Sequence, residues 1–194
     1  MKRILSILTV ILLCACTTES QYNTQYPCNF VFITQLYPTS KLTAAVKNVG
    51  EFVIVYPSVM NGNYSLHVIP NNGTDEEVVN IVGGVLEIEQ LNQRYSNMGS
   101  RNRLVIGLST YGALRAYDCQ CPNCIREFGK EKYAMTFSDN GKFLFCSKCK
   151  RKYDINTVNG PVVENAKEND LSLIEYRIFF PTAISGYECL HVHN

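Results

Sequence analysis

The chain has 194 residues, a formal net charge of +1 and 18% charged residues. A chain this close to neutral offers no electrostatic basis for binding nucleic acid, so that class of partner is excluded. Tyr (12) and Phe (9) are frequent, Trp is absent, and short apolar runs alternate with Gly, Asn and Thr. This pattern favours many strands over a few helices. The length suits one domain.

The N-terminus has the layout of a secretory signal peptide. Lys2 and Arg3 precede an almost unbroken apolar run at 4–13. That run is well short of the roughly 20 residues that a membrane-spanning helix needs. A short anchor helix and a buried core helix are the alternatives. We therefore predict a signal peptide at 1–15.

The end of the apolar run resembles the lipobox of bacterial lipoproteins, with Leu-Cys-Ala-Cys at 13–16. The resemblance implies that Cys16 is lipidated and becomes the mature N-terminus, which anchors the protein stably to a membrane. No Asp follows Cys16, which in Gram-negative lipoproteins implies the outer membrane. Lipidation of Cys14 is the weaker alternative, because the residues before it are not small. The polar segment 16–27 is predicted to be a tether.

Apolar runs predict strands through the rest of the chain. Pro57 and Pro181 are expected to end two of them. The Asn-Gly pair at 140–141 suits a tight hairpin turn. The predicted strands are 29–36, 51–56, 65–69, 103–108, 113–117, 132–137, 142–145, 171–180 and 187–192.

Helical signals are weak. Segment 78–91, interrupted by Gly83 and Gly84, is predicted as two strands or one bent strand. One short helical turn is expected at 42–47 or at 76–82. The sequence therefore predicts a mostly β domain at 28–194, an antiparallel sandwich or a partly open barrel.

Four cysteines form two C-x-x-C pairs, Cys121 with Cys124 and Cys146 with Cys149, separated by 21 residues. Two thiolates at this spacing fit one tight turn, and two such turns facing each other build a cage of four sulfurs. A closed cage of this kind suits structural zinc or a single iron. The sequence predicts a metal-knuckle subdomain at about 117–160.

Two alternatives remain for these cysteines. They could form disulfides or a redox-active dithiol, because an exported protein meets an oxidising environment. Cys119 could also replace Cys121 in the first pair. Basic residues beside the second pair would offset the negative charge of four thiolates; they are Lys148, Lys150, Arg151 and Lys152.

The residues around the two pairs resemble a Rieske [2Fe-2S] domain over about 103–162. A hydrophobic strand and a Gly turn at 103–118 lead to Cys121-Pro122, where the family has Cys-Pro-His. The segment 146–149 stands where the family has Cys-x-x-His. Segment 153–157 with Gly160 resembles the residues that follow the family's second loop.

The resemblance implies a Rieske-like fold and an electron-transfer role, but the ligands differ. A Rieske centre uses two Cys and two His. Here Asn123 and Cys149 occupy the two His positions, and His67, His191 and His193 lie outside both loops. The motif therefore favours a Rieske-like fold with zinc-ribbon-like knuckles. Structural zinc is the preferred cofactor, and iron or an all-cysteine [2Fe-2S] cluster is the alternative.

Outside the knuckles, Cys28 and Cys189 flank the domain. They could form a disulfide, and the simpler interpretation is that both are free thiols. His191 and His193 would face one side of a strand and could chelate a metal, but terminal residues are usually loose. No catalytic set stands out, and no catalytic residue is predicted.

The sequence thus predicts a non-catalytic lipoprotein, with a structural or binding role toward an unidentified protein of the cell envelope. The alternatives are an electron-transfer protein and a thiol–disulfide redox protein.

Overall fold

The computed structural model describes residues 25–73, 75–82 and 86–194. The predicted signal peptide (1–15), Cys16 and most of the predicted tether lie outside these ranges. Within the described ranges, no helix is long and apolar enough to cross a membrane. The lipid anchor stays a prediction.

The described residues form twelve strands in two antiparallel sheets, with three short α-helices and two 3-10 helices at Gln93–Tyr95 and Ser100–Asn102. The α-helices are α1 (Lys41–Ala45), α2 (Leu86–Asn92) and α3 (Pro122–Phe128). The strands are β1 (Asn29–Phe32), β2 (Phe52–Met60), β3 (Asn63–Pro70), β4 (Glu77–Asn80), β5 (Leu104–Leu108), β6 (Leu114–Asp118), β7 (Thr136–Ser138), β8 (Phe143–Phe145), β9 (Lys152–Asp154), β10 (Val162–Glu164), β11 (Glu175–Ile184) and β12 (Tyr187–His193).

The large sheet has eight strands in the order β1-β12-β11-β6-β5-β2-β3-β4 and curls as a half-barrel. The small sheet has the order β10-β9-β8-β7. Together with α3 and the loops at 121–164, the small sheet forms what we call the knuckle subdomain. This architecture confirms the predicted mostly β, antiparallel fold with a small knuckle subdomain.

Central strands of the large sheet are buried on both faces, which explains their continuous apolar runs. In β2, Val53 and Val55 face a core that also contains Leu42 of α1. Phe52 and Ile54 point to the opposite face, where a second core includes residues of the knuckle subdomain. The central strands therefore lie between the main core and the knuckle subdomain.

Two strands continue through the prolines that the sequence predicts as their ends, so that prediction is wrong. Pro57 lies inside β2, and β5 pairs only with the Phe52–Val55 part of β2. At Pro57 the β5 side of the strand is open, so the missing N–H breaks no ladder there. Pro181 lies inside β11, where the pairing with β12 shifts register between Phe179 and Thr182.

Segment 78–91 is also corrected: it holds β4, then α2, instead of two strands. The helix places Ile88 and Asn92 four residues apart on one side. Ile88 packs in a small cluster with Val31. The Asn92 side chain accepts from the Val31 N–H at 2.7 Å and donates to its carbonyl at 2.9 Å. The helix thereby satisfies the open edge of β1.

The turn at 42–47 is helical, as α1, with the Ser40 side chain accepting from the Leu42 N–H. The turn considered at 76–82 is strand β4 instead. The β7–β8 hairpin is present, although β7 begins at Thr136 rather than at 132. Its loop holds Gly141 at φ +78°, and a Cβ there would lie 2.2 Å from the Asn71 carbonyl oxygen.

Candidate metal centre

The first knuckle is the junction between β6 and α3. Cys121 caps the N-terminus of α3, with Pro122 in the first helical position, where no N–H is needed. The Cys121 carbonyl accepts from the Ile125 N–H at 3.0 Å. Cys124 therefore lies in the first turn, and its N–H points at the Cys121 sulfur.

The second knuckle is the connection between β8 and β9. The Cys146 N–H donates to the Arg151 carbonyl at 3.0 Å, and the Lys150 N–H donates to the Cys146 carbonyl at 2.8 Å. Lys150 has φ +61°, which turns the chain back toward β9. The N–H groups of Cys149 and Lys148 point at the Cys146 sulfur.

The two knuckles bring the four predicted thiols into one cluster. The sulfurs of Cys121, Cys124, Cys146 and Cys149 all lie within 4.8 Å of one another. Two sulfur contacts join the knuckles, at 3.6 Å for Cys121–Cys149 and 3.6 Å for Cys124–Cys146. A tetrahedron with zinc–sulfur bonds of about 2.3 Å has edges of about 3.8 Å, so a single ion fits this cage.

Burial closes the cluster on most sides. Cys121, Cys124 and Cys146 are fully buried, while Cys149 is partly exposed. Cys119 is also fully buried, but its sulfur donates to the Met135 carbonyl at 3.4 Å, and it is not one of the four clustered thiols. The structure therefore selects Cys121, not Cys119, as the first member of the set.

Hydrogen bonds between the thiols shift their pKa values. The pKa of Cys146 is lowered to about 5, because the Cys121 thiol donates to its sulfur and two backbone N–H groups point at it. The pKa of Cys121 is raised by that same shared proton and by burial. Burial raises the pKa of Cys124 to about 12. The shared proton joins Cys121 to Cys146, whereas the 3.6 Å contacts join Cys121 to Cys149 and Cys124 to Cys146, so the four thiols form one unit.

Two polar residues, Tyr153 and Asn123, hold the Cys121 sulfur in place through hydrogen bonds. The sequence alone indicated this role for neither of them. The Tyr153 hydroxyl lies 3.2 Å from the Cys121 sulfur and accepts from the Asn123 amide at 2.9 Å. Tyr153 can therefore donate its own proton to the sulfur. Asn123 also exchanges two hydrogen bonds with the backbone of Leu171, at 2.8 and 2.9 Å. Asn123, which stands where Rieske domains have their first His ligand, thus holds Tyr153 and the Leu171 backbone in place instead of binding a metal.

Of the four predicted basic residues, Arg151 contacts the cluster. Its guanidinium is 4% exposed, forms two 2.8 Å bonds with Asp170, and donates to the Cys149 sulfur. Lys148 lies over the Phe128 ring. Lys150 lies over the Phe145 ring. Lys152 pairs with Asp139 and Glu164.

The structure does not bring Cys28 and Cys189 together, so the possible disulfide is not formed. In the β1–β12 register they are five residues apart, about 17 Å along the strands. They also belong to different cores, Cys28 to the main one and Cys189 to the small cluster beside α2.

His191 and His193 do lie side by side on one face of β12, with ring centroids 4.7 Å apart. His191 is 2.9 Å from the Asn29 side-chain oxygen, and Phe179 stacks on His193. Among the described residues, the group of three or more ligands close enough for a metal is the four-cysteine cluster.

Comparison with protein-family models, with curated proteins and with solved structures found no match to this chain. The Rieske and lipoprotein resemblances are therefore untested and stay predictions.

Proposed function

We propose that this protein is a lipid-anchored lipoprotein of the cell envelope, and that one structural metal ion, most simply zinc, stabilises the knuckle subdomain of its β domain. The observation that carries the proposal is the cage of four thiols within 4.8 Å of one another. Four thiolate ligands complete a tetrahedral shell and leave no open position for a substrate. Such a site stabilises a fold instead of catalysing a reaction.

The size of the cage supports one ion over a two-iron cluster. A [2Fe-2S] centre places two irons and two sulfides between its pairs of thiolates, which separates those pairs. Here all four sulfurs lie within 4.8 Å of one another, so no division into two pairs leaves room for two irons and two sulfides between them. Zinc and a single iron would fit the same four thiolates, and zinc is preferred because the site is closed and three ligands are fully buried.

Electron transfer by a cysteine-ligated iron centre is the second candidate. The exposure of Cys149 favours it, because this ligand would give electrons a short route from solvent to the metal. The resemblance to Rieske domains points the same way. A third candidate, thiol–disulfide exchange, would use the 3.6 Å contacts between the knuckles.

The anchor and the partner belong to the same proposal. Lipidated Cys16 would hold the domain at the membrane through the polar tether, with the outer membrane as the proposed location and an envelope protein as partner. Incorporation of labelled fatty acid tests this directly: Cys16→Ser should abolish it, whereas Cys14→Ser should not. Loss of label only in the Cys14→Ser variant would contradict the assignment.

Metal content decides among the three candidates. The full chain, extracted in detergent without oxygen, should contain about one zinc per chain and show no visible absorption. Cys146→Ser should lose the metal, and Cys119→Ser, which removes a buried thiol outside the cage, should keep it. Iron with charge-transfer absorption would establish the redox candidate. Metal-free protein with paired cysteines would overturn the metal site.

A further inference from the structure

Three polar residues that sequence reasoning left without a catalytic role meet at the β2–β3–β4 end of the large sheet. The Ser58 hydroxyl lies 2.9 Å from His67 Nε2. His67 Nδ1 lies 2.7 Å from Glu76 Oε1. An ionised carboxylate can only accept, so the proton of this contact lies on Nδ1, and Nε2 can accept a hydrogen bond from the serine hydroxyl. These contacts match the nucleophile, base and orienting acid of a serine hydrolase.

Strand pairing explains how residues nine positions apart come together. Tyr56 stands opposite His67 in the β2–β3 ladder, so Ser58 is the diagonal neighbour of His67 on the same face. Glu76 immediately precedes β4, whose Val78 stands opposite His67. Ser58 and His67 thus come from adjacent strands, and Glu76 comes from the residue before the next strand.

Neighbouring side chains fix this arrangement. The Tyr56 ring stacks on the His67 ring with a centroid distance of 4.8 Å and an interplanar angle of 10°. Its hydroxyl donates to the same Glu76 oxygen at 2.7 Å. That bond, with His67, lowers the pKa of Glu76, so the orienting group stays ionised. The imidazole plane and the carboxylate are both held in place before any substrate binds.

We propose that Ser58, His67 and Glu76 form a second functional site, a hydrolytic triad for carboxylic esters, independent of the metal centre. The site is open to substrate: Ser58 is half-buried, and the side chains of His67 and Glu76 are 25% and 39% exposed. Ser58 and His67 are the catalytic residues, and Glu76 is a positioning residue.

The reaction balances without a cofactor or an oxidant. The Ser58 Oγ attacks the ester carbonyl carbon, and its proton passes to His67 Nε2. The bond from the carbonyl carbon to the alcohol oxygen then breaks, and the imidazolium returns the proton to the leaving alkoxide. Water repeats both steps on the acyl-serine, so the products are an alcohol, a carboxylic acid and the regenerated serine.

The surroundings define the substrate class. The backbone N–H and C=O groups of the odd-numbered residues of β2 point toward β5. Because β5 pairs with β2 only as far as Val55, the Val59 N–H points to the open edge of β2 beside Ser58. That N–H is the candidate donor to the developing oxyanion. Arg103 lies 4.1 Å from the Tyr56 ring centroid. Its charge favours esters that carry an anionic group over cationic ones.

The test uses the full metal-loaded chain. A fluorophosphonate probe should label Ser58, identified by peptide mass mapping, and the protein should hydrolyse 4-nitrophenyl acetate. Ser58→Ala should abolish labelling, and His67→Asn should lower hydrolysis by at least ~10²-fold. Ser65→Ala, the serine opposite Ser58 in the ladder, is the matched control and should retain full activity. Metal content should be unchanged in all three variants, which separates this site from the metal centre.

Glu76→Gln gives a readout that a purely structural role would not move. The variant keeps the size of the side chain but loses the carboxylate charge that orients His67, so kcat should fall while KM for 4-nitrophenyl acetate stays unchanged. Wild-type protein that is labelled no more at Ser58 than heat-unfolded protein would overturn the proposal. So would equal hydrolysis by wild type and Ser58→Ala, whether or not the variant folds well.

Discussion

The large sheet and the knuckle subdomain are stabilised by different means. The large sheet has strands of up to 10 residues, and its core includes fully buried side chains such as Phe30, Leu66 and Leu104. Each strand of the small sheet has 3 residues. Three of the fully buried residues beside it are the cysteines Cys121, Cys124 and Cys146.

This contrast separates two ways of maintaining a β structure. Long paired strands bury enough apolar surface to outweigh the loss of chain entropy. Strands of three residues bury little, and small units of this kind usually need a metal or another crosslink. A metal bound by four thiolates would supply the missing stabilisation to the knuckle subdomain and leave the large sheet independent of it.

The largest expected effect is that of metal removal. A strong chelator should abolish hydrogen-exchange protection in β7 to β10 while β2, β3 and β5 keep theirs. The reason is that a structural zinc site contributes on the order of 10 kcal/mol to the fold around it. Exchange followed by mass spectrometry, with and without chelator, makes the comparison. Uniform loss of protection across both sheets would mean that they are not independent.

Truncation of a side chain in the main core should destabilise the large sheet and leave the metal site intact. Leu66 is fully buried in β3, away from the knuckles. Leu66→Ala should lower the free energy of unfolding by about 2–5 kcal/mol through lost burial and a cavity, with metal content unchanged. Denaturant titration with parallel metal analysis measures both quantities. Metal loss in the folded variant would contradict the separation of the two regions.

Asp118, at the end of β6 where the two regions join, should make the free energy of unfolding depend on pH. Burial raises the pKa of Asp118 to about 7, although N–H groups of Gln120 and Ser100 and the Tyr176 hydroxyl donate to it. The unfolded carboxyl titrates near 3.9. Between these values the folded state retains a proton that the unfolded state has lost, so this contribution to stability falls as pH rises, then stays constant above about pH 7.

Asp118→Asn should remove that contribution. The stability of wild type relative to the variant should fall by on the order of 2 kcal/mol from about pH 5 to about pH 7. Asp139→Asn is the matched control, because Lys152 lowers the pKa of that exposed carboxyl, which is ionised in both states across this range. A pH-independent difference for Asp118→Asn would show that its carboxyl is not protonated in the fold.

The smallest effect is expected from removing the Tyr153 hydroxyl, which contacts the Cys121 sulfur. Tyr153→Phe removes the hydrogen bond to the Cys121 sulfur but keeps the buried ring. Metal affinity should fall by about 10- to 100-fold, the usual cost of losing a group that supports a ligand. Competition with a chromophoric chelator measures the affinity. An unchanged affinity would show that backbone N–H groups alone support the sulfurs.

Local signals predicted much of the fold. The β5–β6 and β7–β8 hairpins follow from apolar runs flanking Gly-containing turns, and both are present. The errors arose where tertiary contacts overrule local preference. Pro57 is tolerated because no β5 partner stands beside it. The helix α2 forms where Ile88 and Asn92 can both reach β1.

The sequence by itself determined Cys124, Cys146 and Cys149 as members of the thiol cluster and also a β architecture, because C-x-x-C spacing and alternating apolar runs act over a few residues. Only the tertiary structure decided between Cys119 and Cys121, and only it placed Tyr153 behind the cage. It also brought Ser58, His67 and Glu76 into contact. These outcomes depend on strand register, which relates residues distant in sequence and is fixed by the packing of the whole sheet.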